Sequence, residues 1–186
     1  RNVPKLIKLN NVEETVFFPL PLNPDDKKIV IYQGDINMSR GLEKIIAAFR
    51  YIDQAQLWIV GDGSYKPIIE KLRDDLKLQE RVFFLGRINS ELLKSITPLA
   101  DIGISIEEDQ GLSYRYALPN KLFDYIQAKV PVLGSNLPEI HNIVTTHQIG
   151  EIIQNHEPKE LKEKIELMLK NGKNHYTAQL SKAAMK

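Results

Sequence analysis

Four residues near the middle of the chain combine types that handle anions and hydroxyls. They lie in LPNKLFDYIQAKVPVLGSNLPEI, residues 118–140. Pro119, Asn120 and Lys121 stand where a helix should open, and Asp124 follows one turn further in. Proline suits the first turn of a helix. Helix starts expose unbonded N–H groups and the positive end of the dipole, so they attract anions. Lys121 adds a full positive charge at that end. That is the wrong sign for helix stability and the right sign if an anion is held there. Asp124 offers a carboxylate to two hydroxyls, as from a ribose. The set suits a nucleoside diphosphate, with phosphates on the helix start and ribose on the carboxylate. Spacing alone leaves a second reading open: a surface Lys and Asp on an amphipathic helix whose core face is Leu122, Phe123 and Ile126.

Positioning such groups takes a scaffold that gathers strand ends and helix starts. The rest of the chain alternates in that way. Apolar runs at 28–32, 57–60, 82–85, 102–106, 130–134 and 149–153 read as strands. Between and after them, helical spacing covers 42–51, 65–76, 92–99, roughly 119–129, and 158–169. The core faces expected are Ile68, Ile69, Leu72 and Leu76 in one helix, and Leu161, Ile165, Leu167 and Met168 in the last. The strands are continuously apolar, as strands buried on both faces are. The expected fold is therefore α/β: a doubly wound, mostly parallel six-stranded sheet with helices on both faces.

Composition narrows the function classes. The 186 residues carry a formal net charge of +1, with 42% hydrophobic and 26% charged residues. That balance argues against a broad electrostatic nucleic-acid or membrane footprint. The absence of cysteine excludes disulfides, thiolate nucleophiles and cysteine metal sites. No apolar run approaches membrane-spanning length.

In doubly wound folds ligands sit beyond the carboxyl ends of the strands, near the point where strand order reverses. The loops that matter are then Gln33 to Gly41, Gly61-Asp62-Gly63-Ser64, Gly86-Arg87-Ile88 and Glu107 to Gly111. Gly61 and Gly63 read as a tight turn, with Ser64 placed to cap the next helix. The dinucleotide spacing of glycines is not met there, and no P-loop exists. Glu107, Glu108 and Asp109 read as a solvated acidic patch more readily than as a metal site. His141, His147, His156 and His175 lack ligand spacing. Asp62 and Asp101 are the residue type of a phospho-acceptor pair, but Asp101 precedes its strand, so the two cannot converge.

Beside these readings stands a resemblance. PNKLFDYIQAKVPVLGS resembles the donor-binding signature of GT-B fold glycosyltransferases, close to the large retaining GT4-type group. Val30 to Gly34 with Ser39 to Leu42, Leu57 to Gly63, Val82 to Arg87 and Leu137 to Ile140 resemble further elements of that family in register, over roughly residues 28–155. The resemblance implies that Arg40 contacts the diphosphate and that Leu118, Pro119, Asn120 and Lys121 hold phosphate. It implies that Asp124 binds the ribose, that Gly34 and Asp35 belong to the phosphate loop, and that Gly86, Arg87 and Ile88 flank the base. Arg40 and Lys121 are the residues expected to assist departure of the nucleoside diphosphate. The chain departs from the family at three positions. Asp35 stands where an arginine is expected. Tyr116 replaces the first glutamate of the E-x7-E pair, with Arg115 or Glu108 as substitutes. Lys129 replaces a glycine.

The resemblance implies a metal-independent glycosyltransferase with no cofactor, whose donor is a nucleotide-diphosphate sugar. The expected division is an entering linker at 1–24, a nucleotide-sugar-binding Rossmann-like domain at 25–170 and a C-terminal helix or tail at 171–186. The family's second domain would bring the acceptor, a sugar or lipid-linked glycan. The expected setting is cytoplasmic, at the inner face of a membrane in the full-length protein, in surface polysaccharide or glycolipid assembly. No nucleic-acid partner is expected. Two other functions remain open: a UDP-sugar epimerase of the same fold, and a non-catalytic nucleotide-binding regulatory module.

Overall fold

The computed structural model describes residues 19–185, together with a two-residue antiparallel pair at Leu6–Ile7 (β1) and Val16–Phe17 (β2). Most of the stretch expected as an entering linker lies outside the described residues. The main sheet has six strands: β3 (Lys28–Gln33), β4 (Ala55–Val60), β5 (Val82–Gly86), β6 (Ile102–Ser105), β7 (Val132–Ser135) and β8 (Gly150–Ile153). Every pairing between them is parallel, and the order is β5-β4-β3-β6-β7-β8. The sheet therefore grows outward from β3 in one direction, then restarts beside β3 in the other. That reversal places a crevice at the carboxyl ends of β3 and β6.

The helices are α1 (Leu42–Ala48), α2 (Lys66–Asp75), α3 (Ser90–Ile96), α4 (Leu112–Arg115), α5 (Asn120–Gln127), α6 (Pro138–His147), α7 (Pro158–Asn171) and α8 (Thr177–Ala183). Successive strand residues feed opposite faces, as the pleat requires. Val30, Tyr32, Leu57 and Ile59 join α1, α2 and α7 in one core, with Leu42, Ile69, Leu161 and Ile165. Ile31, Trp58, Val60 and Val132 join α3, α5, α6 and α8 in the other, with Ile96, Leu122, Ile140 and Leu180. Both faces of the sheet are covered, which is why the strands read as unbroken apolar runs.

Three details differ from expectation. Helix α6 has no counterpart among the expected elements. Its sequence, PEIHNIVTTH, is rich in β-branched residues that form helices poorly, so burial of Ile140 and Val144 decides its state. The core faces of three helices also shift. Ile68, Leu167 and Phe123 are exposed, Phe123 at 45%. In α5 the buried positions are Leu122, Tyr125 and Ile126, the i, i+3, i+4 stripe of a helix. Finally, Ser64 does not cap α2. That helix opens at Tyr65 without a side-chain cap, and the Ser64 hydroxyl instead lies 3.4 Å from Asn37 Oδ1. Among the described residues no helix is long and apolar enough to cross a membrane.

Candidate functional site

Strands β3 and β6 pair only at Val30–Ile102 and Ile31–Gly103 before they part. A helix side chain fills the gap. Tyr125 of α5 accepts from the Gln33 N–H and lies within donating distance of the Ile31 and Ile104 carbonyls, all at 3.2 Å. Its single hydrogen serves one carbonyl at a time. The phenol thus supplies the rungs that the diverging strands lose. Burial holds its pKa well above the ordinary value, so it serves as a hydrogen-bonding group and not as an acid. Gly103 has to be glycine, because a Cβ there would stand 2.5 Å from the Tyr125 ring. This contact seats α5 flat on the sheet with its first turn at the crevice.

The opposite wall is the loop that leaves β3. It lies directly on the glycine turn after β4. A Cβ on Gly61 would meet the Gly34 carbonyl at 1.9 Å, and one on Gly63 would meet the Ile36 carbonyl at 2.2 Å. The two glycines of Gly61-Asp62-Gly63 are therefore explained by backbone approach alone. Backbone bonds from Gly34 to Val60 and from Ile36 to Asp62 pin the loop. At its far end Gly41 takes φ 73° under the Ile106 carbonyl and opens α1.

Between the walls lies a cavity of about 330 Å³. Gly34, Asp35 and Arg40 line it from the β3 loop, and Pro119, Asn120, Lys121 and Asp124 from the start of α5. Helix α5 opens at Pro119 with no side-chain cap and no acid in its first turn. Its positive end is thus left toward the cavity. The structure brings seven of the sequence-derived residues together here.

Lys121 carries a feature that spacing could not show. It is 8% exposed and forms an ion pair with Glu107, itself 3% exposed. The ammonium also sits 4.6 Å from the centre of the Tyr32 ring. The second carboxylate oxygen of Glu107 accepts from the Ser105 hydroxyl at 3.0 Å. The lysine therefore has an internal counter-charge, and its place in the first turn does not by itself require an outside anion. Burial lowers its pKa, with Glu107 acting in the other direction. Burial likewise raises the Tyr32 phenol, helped by Glu107. The Tyr32 hydroxyl donates to the Asp35 carbonyl at 2.7 Å and so braces the loop.

Asp124 is exposed at the rim. Its Oδ2 accepts from Gln33 Nε2 at 2.9 Å, and Gln33 Oε1 accepts from the Thr97 hydroxyl at 2.9 Å. Gln33 and Thr97 are buried. The same carboxylate borders a second cavity of about 450 Å³ between α3 and α5, which Leu93, Thr97 and Gln127 also line.

The remaining expected residues stand apart from the 330 Å³ cavity. Gly86 ends β5 and Arg87 and Ile88 follow it, where Arg87 Nε approaches Asp62 Oδ2 at 3.9 Å on the surface. Tyr116 and Leu118 lie in the exposed segment between α4 and α5, Tyr116 at 60% exposure. Arg115 is tied to Asp109, with Arg115 Nε 2.9 Å from the carboxylate, and that bond holds the Asp109 carboxyl below its usual value. His156 Nε2 lies 2.9 Å from the Ile106 carbonyl. Among the described residues no group of three or more acids and histidines could hold a metal ion.

Sequence reasoning named Gln33 only as the start of a loop, passed over Thr97 and Tyr125, and weighed Glu107 only together with Glu108 and Asp109. A signal existed for two of them. Gln33 is the one polar side chain that ends the apolar run of β3, and Tyr125 is a polar tip on the buried stripe of α5.

The family model described as Glycosyl transferases group 1 matches residues 13–186. An uncharacterized glycosyltransferase of Methanocaldococcus jannaschii is 31% identical over 133 residues, which are 69% of this chain and 32% of that protein. The alpha-monoglucosyldiacylglycerol synthase of Streptococcus pneumoniae is 23% identical over 134 residues, 69% of this chain and 29% of that protein. The chain spans about a third of the length of these curated relatives. Among solved structures, Anabaena HepE in complex with UDP-glucose matches with a TM-score of 0.72 at 16% identity, over 86% of this chain and 43% of that one. At that identity the likeness is one of fold.

Proposed function

The chain belongs to the glycosyl transferases group 1 family, and from that premise we propose that it binds a nucleotide-diphosphate sugar and, within a longer enzyme, serves transfer of the sugar to an acceptor. One observation carries this reading. The uncapped start of α5, with Lys121 and Asp124, faces the Gly34–Arg40 loop across one cavity at the reversal of strand order. The diphosphate lies on the α5 N–H groups between Arg40 and Lys121, and the ribose meets Asp124. The complex of HepE with UDP-glucose, which shares the fold, supports this class of ligand.

In the transfer, the bond between the sugar's anomeric carbon and the diphosphate oxygen breaks, and its electron pair leaves with the diphosphate. The acceptor oxygen bonds to the same carbon and gives up its proton. The α5 dipole, Arg40 and Lys121 stabilise the charge that develops on the leaving group. Those groups can do so without a metal ion, and the reading is of a metal-independent, retaining transferase. The acceptor, a sugar or lipid-linked glycan of surface polysaccharide or glycolipid assembly, is met by the rest of the protein. The name of the Streptococcus pneumoniae relative supports a glycolipid setting.

Titration calorimetry with UDP, GDP and ADP, in EDTA and in Mg²⁺, tests the reading. One of the three binds in EDTA, and at about 100 times its Kd it stabilises the fold by about 2.7 kcal/mol. Asp124→Asn weakens nucleoside and nucleoside diphosphate alike, by about tenfold to a hundredfold. Lys121→Ala weakens the diphosphate far more than the nucleoside. The chain alone transfers no sugar. If none of the three nucleotides shifts the melting curve at millimolar concentration, the reading falls.

A further inference from the structure

The bonds around Asp124 have a direction, and the carboxylate sets it. An ionised carboxylate only accepts, so the Gln33 amide must present its NH₂ to Asp124 Oδ2 at 2.9 Å. Gln33 Oε1 is then turned to Thr97 and accepts from that hydroxyl at 2.9 Å. The Thr97 hydroxyl has a competing acceptor, the Leu93 carbonyl, also at 2.9 Å. If it donated to Leu93, it would accept from the Gln33 NH₂, and the flipped amide would set its oxygen against the carboxylate. The charge on Asp124 thus selects one of two arrangements of a buried polar chain. Gln33 is 3% exposed and Thr97 2% exposed, so water does not replace either partner freely.

From this geometry we infer that Gln33 and Thr97 are positioning residues, which hold the Asp124 carboxylate by Oδ2 and leave Oδ1 for a hydroxyl of the ligand. The inference rests on the donor-site reading of Asp124. Oδ1 has no hydrogen-bond partner among the described residues, while the carboxylate as a whole stands exposed on the cavity rim. An exposed aspartate samples several rotamers, and a ligand that needs one of them bears the cost of fixing it. The buried amide has fixed it in advance. Gln33 does so from the last position of β3, where its own N–H is held by Tyr125. The amide is therefore anchored at both ends, by its backbone on the strand and by its carbonyl on Thr97.

The effect should be confined to the nucleoside. Phosphate contacts come from Arg40, Lys121 and the α5 N–H groups, none of which bonds to Gln33. The test is calorimetry on the full chain with two probes: whichever of UDP, GDP and ADP binds tightest, and inorganic pyrophosphate. Gln33→Leu should weaken the nucleoside diphosphate about three- to tenfold, because the ligand then bears the cost of fixing the carboxylate, and leave pyrophosphate unchanged. In an Asp124→Ala background the same substitution should cost nothing further, because its only route to the ligand is gone. Thr97→Val should act in the same direction and more weakly, and Thr97→Ser should restore wild-type affinity. The valine–serine pair carries the test if the melting curve shows that Gln33→Leu does not fold. Equal losses for both probes, or a loss that persists beside Asp124→Ala, would make Gln33 a structural residue and overturn the inference. So would an Asp124→Ala loss with Gln33→Leu and Thr97→Val both harmless, which leaves the donor-site reading standing. If Asp124→Ala itself costs nothing, that reading fails and this one fails with it.

Discussion

The two ends of the main sheet use the same residue types for opposite purposes. At the amino end, polar side chains bond to backbone. Asp101 accepts from the Ile29 N–H at 2.8 Å, while Lys28 stands 3.4 Å from its other oxygen. Lys173 donates to the carbonyls of Pro98 and Ala100. Arg81 donates to those of Phe49 and Ile52. At the carboxyl end Tyr32, Tyr125 and His156 also bond to backbone, but the charged side chains at the cavity bond to other side chains. Lys121 pairs with Glu107, Glu107 with Ser105, and Asp124 with Gln33. Backbone groups are permanent, so side chains that satisfy them act as fasteners. Side chains that satisfy only each other can be exchanged together, and what they hold in place is a surface for something else.

The Lys121–Glu107 pair gives the sharpest way to break this contrast. Removing one member of a buried ion pair leaves the other charge without compensation and costs about 3–5 kcal/mol. Glu107→Gln should therefore lower the unfolding free energy by that amount in urea denaturation. Replacing both members with apolar residues of similar size should return most of it, because the desolvation of two charges then disappears as well. Glu107→Met with Lys121→Met is expected near wild-type stability and without measurable diphosphate affinity. A double variant as unstable as the single one would place this pair among the fasteners.

At the amino end the same design should fail to rescue. Asp101→Leu strands the partly buried Ile29 N–H, and an orphaned donor costs about 1–3 kcal/mol. Adding Lys28→Met removes the partner charge but not the backbone donor. The double variant should stay as destabilised as Asp101→Leu alone, with nucleotide affinity unchanged. Recovery by Lys28→Met would show that the ion pair, and not the backbone bond, was the source of stability.

This contrast also explains which parts could be read from the sequence. The positions of the six main-sheet strands along the chain follow from mostly apolar runs, since burial on both faces leaves room for few polar residues, Gln33 and Gln56 among them. The start of α5 was legible because Pro119 and Lys121 stand at the start of one helix and Asp124 one turn further in. Glu107 was not legible as the partner of Lys121. Fourteen positions separate them, and they meet only once the crossover from β6 to β7 folds α5 back over the end of β6. Gln33 and Thr97 are further apart still, and their link to Asp124 exists only once β3, α3 and α5 converge. Helix α6 was missed for the converse reason: its local sequence argues against a helix and its packing requires one. Local chemistry survives in sequence, and partnership across the sheet does not.

The smallest expected effect separates two lysines by pH. Lys121 and Lys173 both have pKa values lowered by burial, opposed by Glu107 in the first case and by Asp101 in the second. In the free protein Lys121 then loses its proton below the ordinary lysine value of 10.5. A bound diphosphate favours the charged form and raises the pKa again. Diphosphate affinity should hence be full at pH values below the lowered pKa and fall as pH rises through it. The slope is at most one proton, or about tenfold per pH unit. Asp35, Arg40 and Glu107 face the same ammonium, and Tyr32 lies against it, so each belongs in the control set. Lys121→Arg should flatten the profile, because a guanidinium stays charged throughout. Lys173 should leave that profile untouched and appear in stability instead. Its unfolded form binds a proton in a range where the folded form has released it, so this contribution to stability rises with pH from the lowered pKa toward 10.5. Lys173→Met should remove that rise, together with the stability from its bonds to the Pro98 and Ala100 carbonyls. Should the Lys173 variant alter the pH profile of nucleotide binding, or Lys121→Arg leave it as steep as before, the division between the two ends of the sheet is wrong.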